Sequence, residues 1–159
     1  MALRCADWRA EGSAVRELTT LGELIAFYGV YRACMYRPDR ARYLEKARNW
    51  RHCENVRVFA CFEQKTPAGI LVLRFQTVYT AEILGIAVTP CERNHGIATC
   101  MLRYAAEMLK LQTLTAETDA DAAGFYRKTG FTTITQIKVY DGQSVTRYFC
   151  TWTKERSSA

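Results

Sequence analysis

The residues best suited to chemistry lie in the turn Arg93-Asn94-His95-Gly96-Ile97-Ala98, followed by Thr99. A strand pattern delivers the chain to Pro90, and a long helical pattern begins near Gly96. The first amides of such a helix lack internal partners and carry the positive end of its dipole. Gly96 lets an oxygen approach the backbone, Ala98 keeps the next turn small, Arg93 supplies a cation and Thr99 a hydroxyl. This set suits an anion with several oxygens, a pyrophosphate above all. It equally suits an ordinary strand-to-helix connection with a helpful glycine. Neither a Gly-x-x-x-x-Gly-Lys-Ser/Thr loop nor a Gly-x-Gly-x-x-Gly turn occurs, so kinase-like and dinucleotide-binding readings lose their main support.

Other reactive side chains are harder to join into a mechanism. His95 has an ordinary pKa near 6.5, but its place inside the turn assigns it to binding or to solvent. Cys91 beside it would make a thiol nucleophile only if something oriented the histidine, and nothing in the sequence does. The seven cysteines are odd in number and contain no Cys-x-x-Cys pair. Several sit in apolar stretches such as Phe59-Ala60-Cys61-Phe62, where a thiol behaves as a small hydrophobe. Reduced thiols and no metal are expected, against the alternative of a zinc site built from His52, Cys53, Cys91 and His95.

The elements that position these residues follow from periodicity. Thr20-Leu21-Gly22-Glu23 has capping-box spacing, and Leu21, Leu24, Ile25, Tyr28 and Tyr31 continue as a helix to about Cys34. Pro38 suits the first turn of a second helix with Ala41, Leu44, Ala47 and Trp50 inward. Val56 to Phe62, Ile70 to Val78 and Ala81 to Val88 read as three antiparallel strands, with a turn over Gln64 to Gly69 and a reversal at Tyr79-Thr80. Ile97, Met101, Tyr104, Ala105, Met108 and Leu109 mark an amphipathic helix to about Leu111. Leu114 to Glu117 is a short strand, Asp119 caps a further helix ending at Gly130, and a last hairpin turns at Asp141-Gly142. Residues 1–13 read as an N-terminal extension, with Val15 and Leu18 suited to a short first strand. Residues 14–153 form one domain and residues 154–159 a polar tail. The order predicts a mixed α/β layer structure.

The turn matches the Arg/Gln-x-x-Gly-x-Gly/Ala signature of the GNAT superfamily of acetyl-CoA-dependent N-acetyltransferases. Ala122-Ala123-Gly124-Phe125-Tyr126-Arg127-Lys128-Thr129-Gly130-Phe131 resembles that family's Ala-x-x-x-Tyr-x-Lys-x-Gly-Phe segment. The likeness runs roughly from Val15 to Trp152 and is dense from Ala81 to Phe131. Asp119 stands where the family often has Asn, and Ala98 where it often has Gly. The resemblance implies a mainly antiparallel central sheet flanked by helices, and transfer of an acetyl group from acetyl-CoA directly to a primary amine. It also implies that the backbone of Ile86, Ala87 and Val88 pairs with the pantetheine arm, with an amide near Val88 facing the thioester carbonyl. Arg93, Asn94, His95, Gly96, Ile97, Ala98 and Thr99 would surround the pyrophosphate, with Asp119 as a further coenzyme contact. Tyr126 would face the sulfur as proton donor, and Glu82 would act as base, relayed through water. Strand alternation puts Glu82 on the side of Leu84 and Ile86 unless a bulge intervenes. Tyr28, Tyr31, Arg32, Tyr36 and Arg37 fall where the family builds its acceptor site, although core packing explains the tyrosines equally well.

Composition narrows the partners. The net charge is +6, and Tyr28 to Arg57 hold eight basic and three acidic residues. That stretch is either a solvated helix face or a field that attracts anions. It has no nucleic-acid motif, and its acids would repel phosphate, so no nucleic-acid partner is expected. The apolar run Pro67 to Leu73 is far shorter than the roughly 20 residues that cross a bilayer, and Arg4, Asp7 and Arg9 interrupt any leader-like stretch. A cytoplasmic protein without a membrane partner is expected, acting on a small-molecule or protein amine as a monomer or homodimer. The alternative is a non-catalytic acyl-CoA sensor or interaction module on the same fold.

Overall fold

A computed structural model describes residues 13–93 and 96–155. The expected extension therefore lies outside the described residues except for Ser13, as do Asn94, His95 and residues 156–159.

Three short elements open the chain: β1 (Ser13–Leu18), α1 (Leu21–Ala26) and α2 (Tyr28–Tyr31). Thr20 accepts from the Glu23 amide at 3.2 Å, and the Glu23 carboxylate returns to the Thr19 amide at 3.3 Å. The single helix expected through Cys34 breaks at Phe27, which caps α1 and starts α2, and ends in a 3-10 turn at Arg32–Cys34. Helix α3 (Arg40–His52) starts after Asp39, whose Oδ1 accepts from the Ala41 amide at 2.8 Å, so Pro38 precedes the helix. A carboxylate that satisfies free amides at the cap fixes the start better than a proline with no amide to satisfy. Its inner face uses Tyr43, Ala47 and Trp50.

The meander follows as β2 (Val56–Glu63), β3 (Thr66–Phe75) and β4 (Thr80–Val88). The β2–β3 turn is only Gln64-Lys65, both with positive φ. Gly69, expected in that turn, lies inside β3, where a β-carbon would come within 2.9 Å of Ile97 and Met101. That glycine lets the next helix sit close on the sheet. Helix α4 (Ile97–Met108), β5 (Thr113–Thr118), α5 (Ala120–Lys128), β6 (Thr132–Tyr140) and β7 (Gln143–Thr153) complete the chain.

The seven strands lie in the order β1-β2-β3-β4-β5-β7-β6, with β4 and β5 parallel and every other pair antiparallel. The mixed, mainly antiparallel sheet expected above is what forms. The α5 crossover returns β6 parallel to β5 but one position away, and β7 folds back into the slot between them. Helices α4 and α5 cover one face over Leu71, Leu73, Ile83 and Leu114, whereas α1, α2 and α3 cover the other over Val58, Ile70 and Val72. Burying each such side chain stabilises by about 1.5–3 kcal/mol, and an exposed ion pair by at most about 1 kcal/mol. Packing on both faces therefore holds the sheet.

Candidate functional site

The pairing of β4 with β5 stops at Ile83 and Ala116, while β4 runs on to Val88. The cause is a bulge. Val72 of β3 pairs with Gly85 and Leu73 with Ile83, which leaves Leu84 unpaired. A bulged strand bends and twists, so β4 and β5 part and a cleft of about 910 Å3 opens between them. The bulge also changes which way side chains point. Leu84 and Ala87 pack with α1–α3, whereas Ile83, Ile86 and Val88 pack with α4 and α5. Glu82 and Ile86 therefore lie on opposite faces, unlike the plain alternation expected.

On its open side beyond Ile83, β4 presents main-chain groups with no neighbouring strand among the described residues. The Thr89 amide donates to Ala68 across β3 at 2.9 Å, so alternation turns the Ala87 amide toward β3 and those of Ile86 and Val88 toward the cleft. The Ile86 amide lies against the Cys34 thiol. Gly85 faces the opposite wall, where a β-carbon would stand 2.7 Å from a Tyr31 ring carbon. Tyr31 is held between Tyr43 and Trp50, with ring centroids 5.4 and 5.2 Å away. The bulge is thus wedged from behind by a buried aromatic cluster.

At the end of the cleft, Gly96 caps α4 with φ +78°, and among the described residues no atom beyond its chain neighbours lies within 4 Å of the position a β-carbon would take. The first intrahelical bond runs from the Cys100 amide to the Gly96 carbonyl at 2.9 Å, so the amides of Ile97, Ala98 and Thr99 precede the helical ladder. Ile97 turns its side chain into the core at 3 % exposure and has only its amide to offer. Arg93 and Ala98 line the cleft, as does Asp119, whose Oδ1 caps α5 by accepting from the Ala122 amide at 3.0 Å. These features fit a pyrophosphate-bearing coenzyme: a helix start, a cation and a space that any larger side chain would fill.

Tyr126 comes from α5 and lines the cleft at 4 % exposure, its ring edge-on to Phe125 and Phe131 at 5.2 and 5.1 Å. Burial pushes its phenol well above the ordinary tyrosine value, with smaller upward contributions from Cys150 and Cys34. It therefore keeps its proton at neutral pH. Cys34 is exposed at the mouth, yet desolvation pushes its thiol up to about 11, against lowering contacts from the Tyr31 hydroxyl and the Ile86 amide. Glu82 does not line the cleft. Its carboxylate meets Arg74 at 2.6 Å on the α1–α3 face.

The structure brings Ile86, Ala87, Val88, Arg93, Ala98, Asp119, Tyr126 and Tyr36 to one cleft and leaves Glu82 beside it. It adds four side chains that the sequence reading did not select: Cys34, Glu117, Asp121 and Arg147. Cys34 lies within the Tyr28 to Arg37 stretch assigned to an acceptor site, which was a usable signal. Arg147 reaches Glu117 only because β7 enters between β5 and β6, and a single sequence carries no signal for that. Among the described residues, no three His, Cys, Asp or Glu side chains gather as metal ligands, and no helix is long and apolar enough to cross a membrane.

Comparison with known proteins agrees with this geometry. The pattern of the acetyltransferase (GNAT) family matches residues 23–131, and the chain belongs to that family. Among solved structures, the ribosomal-protein-S18-alanine N-acetyltransferase from Escherichia coli superposes with a TM-score of 0.70 at 18 % identity, covering 92 % of this chain and 96 % of its own. A GNAT family acetyltransferase from Elizabethkingia anophelis, solved with acetyl-CoA bound, gives 0.65 at 18 % identity, over 91 % and 99 %. A variant of the spermidine N-acetyltransferase from Vibrio cholerae gives 0.66 at 16 % identity, over 89 % and 94 %. At these identities the likeness shows the fold. No curated protein matches the chain by sequence. Family and fold together support acyl transfer.

Proposed function

We propose that the protein is an N-acetyltransferase that moves an acetyl group from acetyl-CoA directly to a primary amine within a ternary complex. One observation carries the reading: a β4 edge with outward main-chain amides, Ile86 beside the Cys34 thiol and Val88, opens beside the start of α4. An extended amide-bearing arm adds to such an edge as a further strand. A diphosphate attached to that arm then reaches the first amides of α4, with Gly96 leaving room and Arg93 adding charge. Ile97, Ala98 and Thr99 serve through their main chain, and the sequence motif adds Asn94 and His95 to the coenzyme contacts. Asp119 contributes from the start of α5. The neighbours that acetylate spermidine or a ribosomal-protein alanine support an amine as acceptor.

Bound acetyl-CoA supplies an acetyl group already activated as a thioester. The acceptor nitrogen forms the new C–N bond as the C–S bond breaks, giving the acetamide and free CoA thiol. The Val88 amide is placed to donate to the carbonyl oxygen as charge develops there. Tyr126, protonated and buried in the cleft, donates to the departing sulfur. The nitrogen must shed a proton, and Glu82, paired with Arg74, receives it through water on the α1–α3 face.

The test is release of CoA thiol from acetyl-CoA across a panel of amines. Turnover with at least one amine is expected, together with a drop of roughly 10²-fold in kcat for Tyr126→Phe. Coenzyme binding without turnover by any amine would leave a sensor or interaction module and reject the enzyme. Wild-type kcat in Tyr126→Phe would remove the phenol from the chemistry.

A further inference from the structure

The cleft passes through the sheet where β4 and β5 part. Its half on the α4–α5 face holds Arg93, Ala98, Ala122 and Tyr126 and suits the coenzyme. Its half on the α1–α3 face is walled by Ala33 to Tyr36 on one side and by Glu117 and Arg147 on the other. An acceptor approaching from opposite the coenzyme meets this second half.

Charge in that half is lopsided. Glu117 and Arg147 stand on the neighbouring strands β5 and β7, and Lys138 projects from β6. One carboxylate oxygen, Oε1 of Glu117, serves both cations, with Lys138 Nζ at 2.7 Å and Arg147 Nε at 3.4 Å. The two contacts, Lys138 first, hold the Glu117 carboxyl below its ordinary value. The trio therefore carries one net positive charge. The long contact uses only Nε of Arg147, and among the described residues its terminal guanidinium nitrogens have no hydrogen-bond partner. A guanidinium with that edge unoccupied binds a carboxylate in a two-pronged geometry.

Residues flanking the opposite wall add charge of the same sign, although Asp39 pairs with Arg42 at 4.0 Å. Arg32 and Arg40 both lie over the Tyr28 ring at 5.8 Å, and Arg37 lies over Tyr36 at 5.3 Å. Arg42 holds this wall in place by donating to the carbonyls of Tyr36, at 2.8 Å, and of Arg37. The remaining acids of the cleft, Asp119 and Asp121, belong to the start of α5 on the coenzyme side. A polycationic amine is repelled by such a mouth, whereas an amine with an attached anion is drawn in. The same field lowers the pKa of the incoming ammonium and raises the fraction able to attack.

We propose that the acceptor is a small primary amine that also carries a carboxylate, and that Arg147 is the specificity-determining residue that binds this carboxylate. The inference rests on the acetyl transfer proposed above. Glu117 orients the guanidinium and leaves its terminal nitrogens for the substrate. The amine then projects toward the Val88 end of the β4 edge.

The test uses the full chain, acetyl-CoA, and matched acceptors: α-amino and ω-amino acids, the carboxamide of each, and spermidine. At least one carboxylate is expected to exceed its own amide and spermidine by roughly 10- to 100-fold in kcat/KM, the range for a hydrogen-bonded charge. Arg147→Gln should raise KM for that carboxylate by a similar factor, with a smaller change in kcat and with KM for acetyl-CoA held. Arg147→Lys should recover part of the loss, which a purely structural role would not show. Preference for the amides or spermidine would overturn the inference while leaving acetyl transfer standing. So would a carboxylate preference that survives Arg147→Gln, or a raised KM for acetyl-CoA, which would place Arg147 on the coenzyme. Absence of turnover with every amine would reject both proposals.

Discussion

With the diphosphate placed at the start of α4 as proposed, one substitution at Gly96 should separate coenzyme binding from folding. The φ of Gly96 is +78°, and among the described residues a β-carbon there meets no atom within 4 Å beyond its chain neighbours. A side chain thus fits sterically, and its cost is the left-handed backbone of an L-residue, about 1–2 kcal/mol. Gly96→Ala carries that cost alone. Gly96→Glu adds a negative charge beside the first amides of α4, which for the empty protein is neutral or mildly stabilising because it complements the helix dipole. With a diphosphate in place the sign reverses. Two unit charges at 4 Å repel by about 4 kcal/mol at an effective dielectric of 20, and solvent and salt reduce this to about 2 kcal/mol. That corresponds to roughly 30-fold in affinity. Isothermal calorimetry with acetyl-CoA should therefore show Gly96→Glu at least about 30-fold weaker than Gly96→Ala, with the two melting at nearly the same temperature. Equal affinity in the two variants would refute the placement of the diphosphate at α4.

Two further outcomes follow from the walls of the cleft. Glu82→Gln removes an exposed ion pair at 2.6 Å, so stability should fall by less than about 1 kcal/mol, while kcat falls by roughly 10²-fold if the carboxylate takes the proton; unchanged turnover would dismiss it as the base. Gly85→Ala places a methyl 2.7 Å from a Tyr31 ring carbon and 2.9 Å from its hydroxyl. Tyr31 is only 5 % exposed, so overpacking should cost about 1–3 kcal/mol. With a urea slope of about 2 kcal/mol/M, the midpoint should drop by about 1 M, and an unmoved midpoint would mean that the ring yields freely.

The legible parts of the fold were those fixed within a few residues. Thr20 with Glu23, and Asp119 with Ala122, are caps whose two halves are at most three positions apart. The alternation of Val56 to Phe62 and the helical stripe from Ile97 to Ala105 name their own period. Misreadings arose where a residue type had two uses. Gly69 looked like turn punctuation and instead serves close packing against Ile97 and Met101. Pro38 looked like a helix start, but the Asp39 carboxylate sets it. Met108 belongs to an apolar stripe by spacing, yet it stands at the end of α4 with 50 % exposure.

The local sequence by itself determined the element order, the glycine start of α4 and the tyrosine on α5, because caps, hydrophobic period and a motif are each carried by neighbouring residues. Only the tertiary structure decided the Leu84 bulge, the parting of β4 from β5 at Ile83, and the entry of β7 between β5 and β6. Those features depend on register between strands far apart in the chain, and a one-residue shift reverses which face a side chain takes. That is why Glu82 and Ile86 part company, and why Glu117 meets an arginine thirty residues away at the mouth of the cleft.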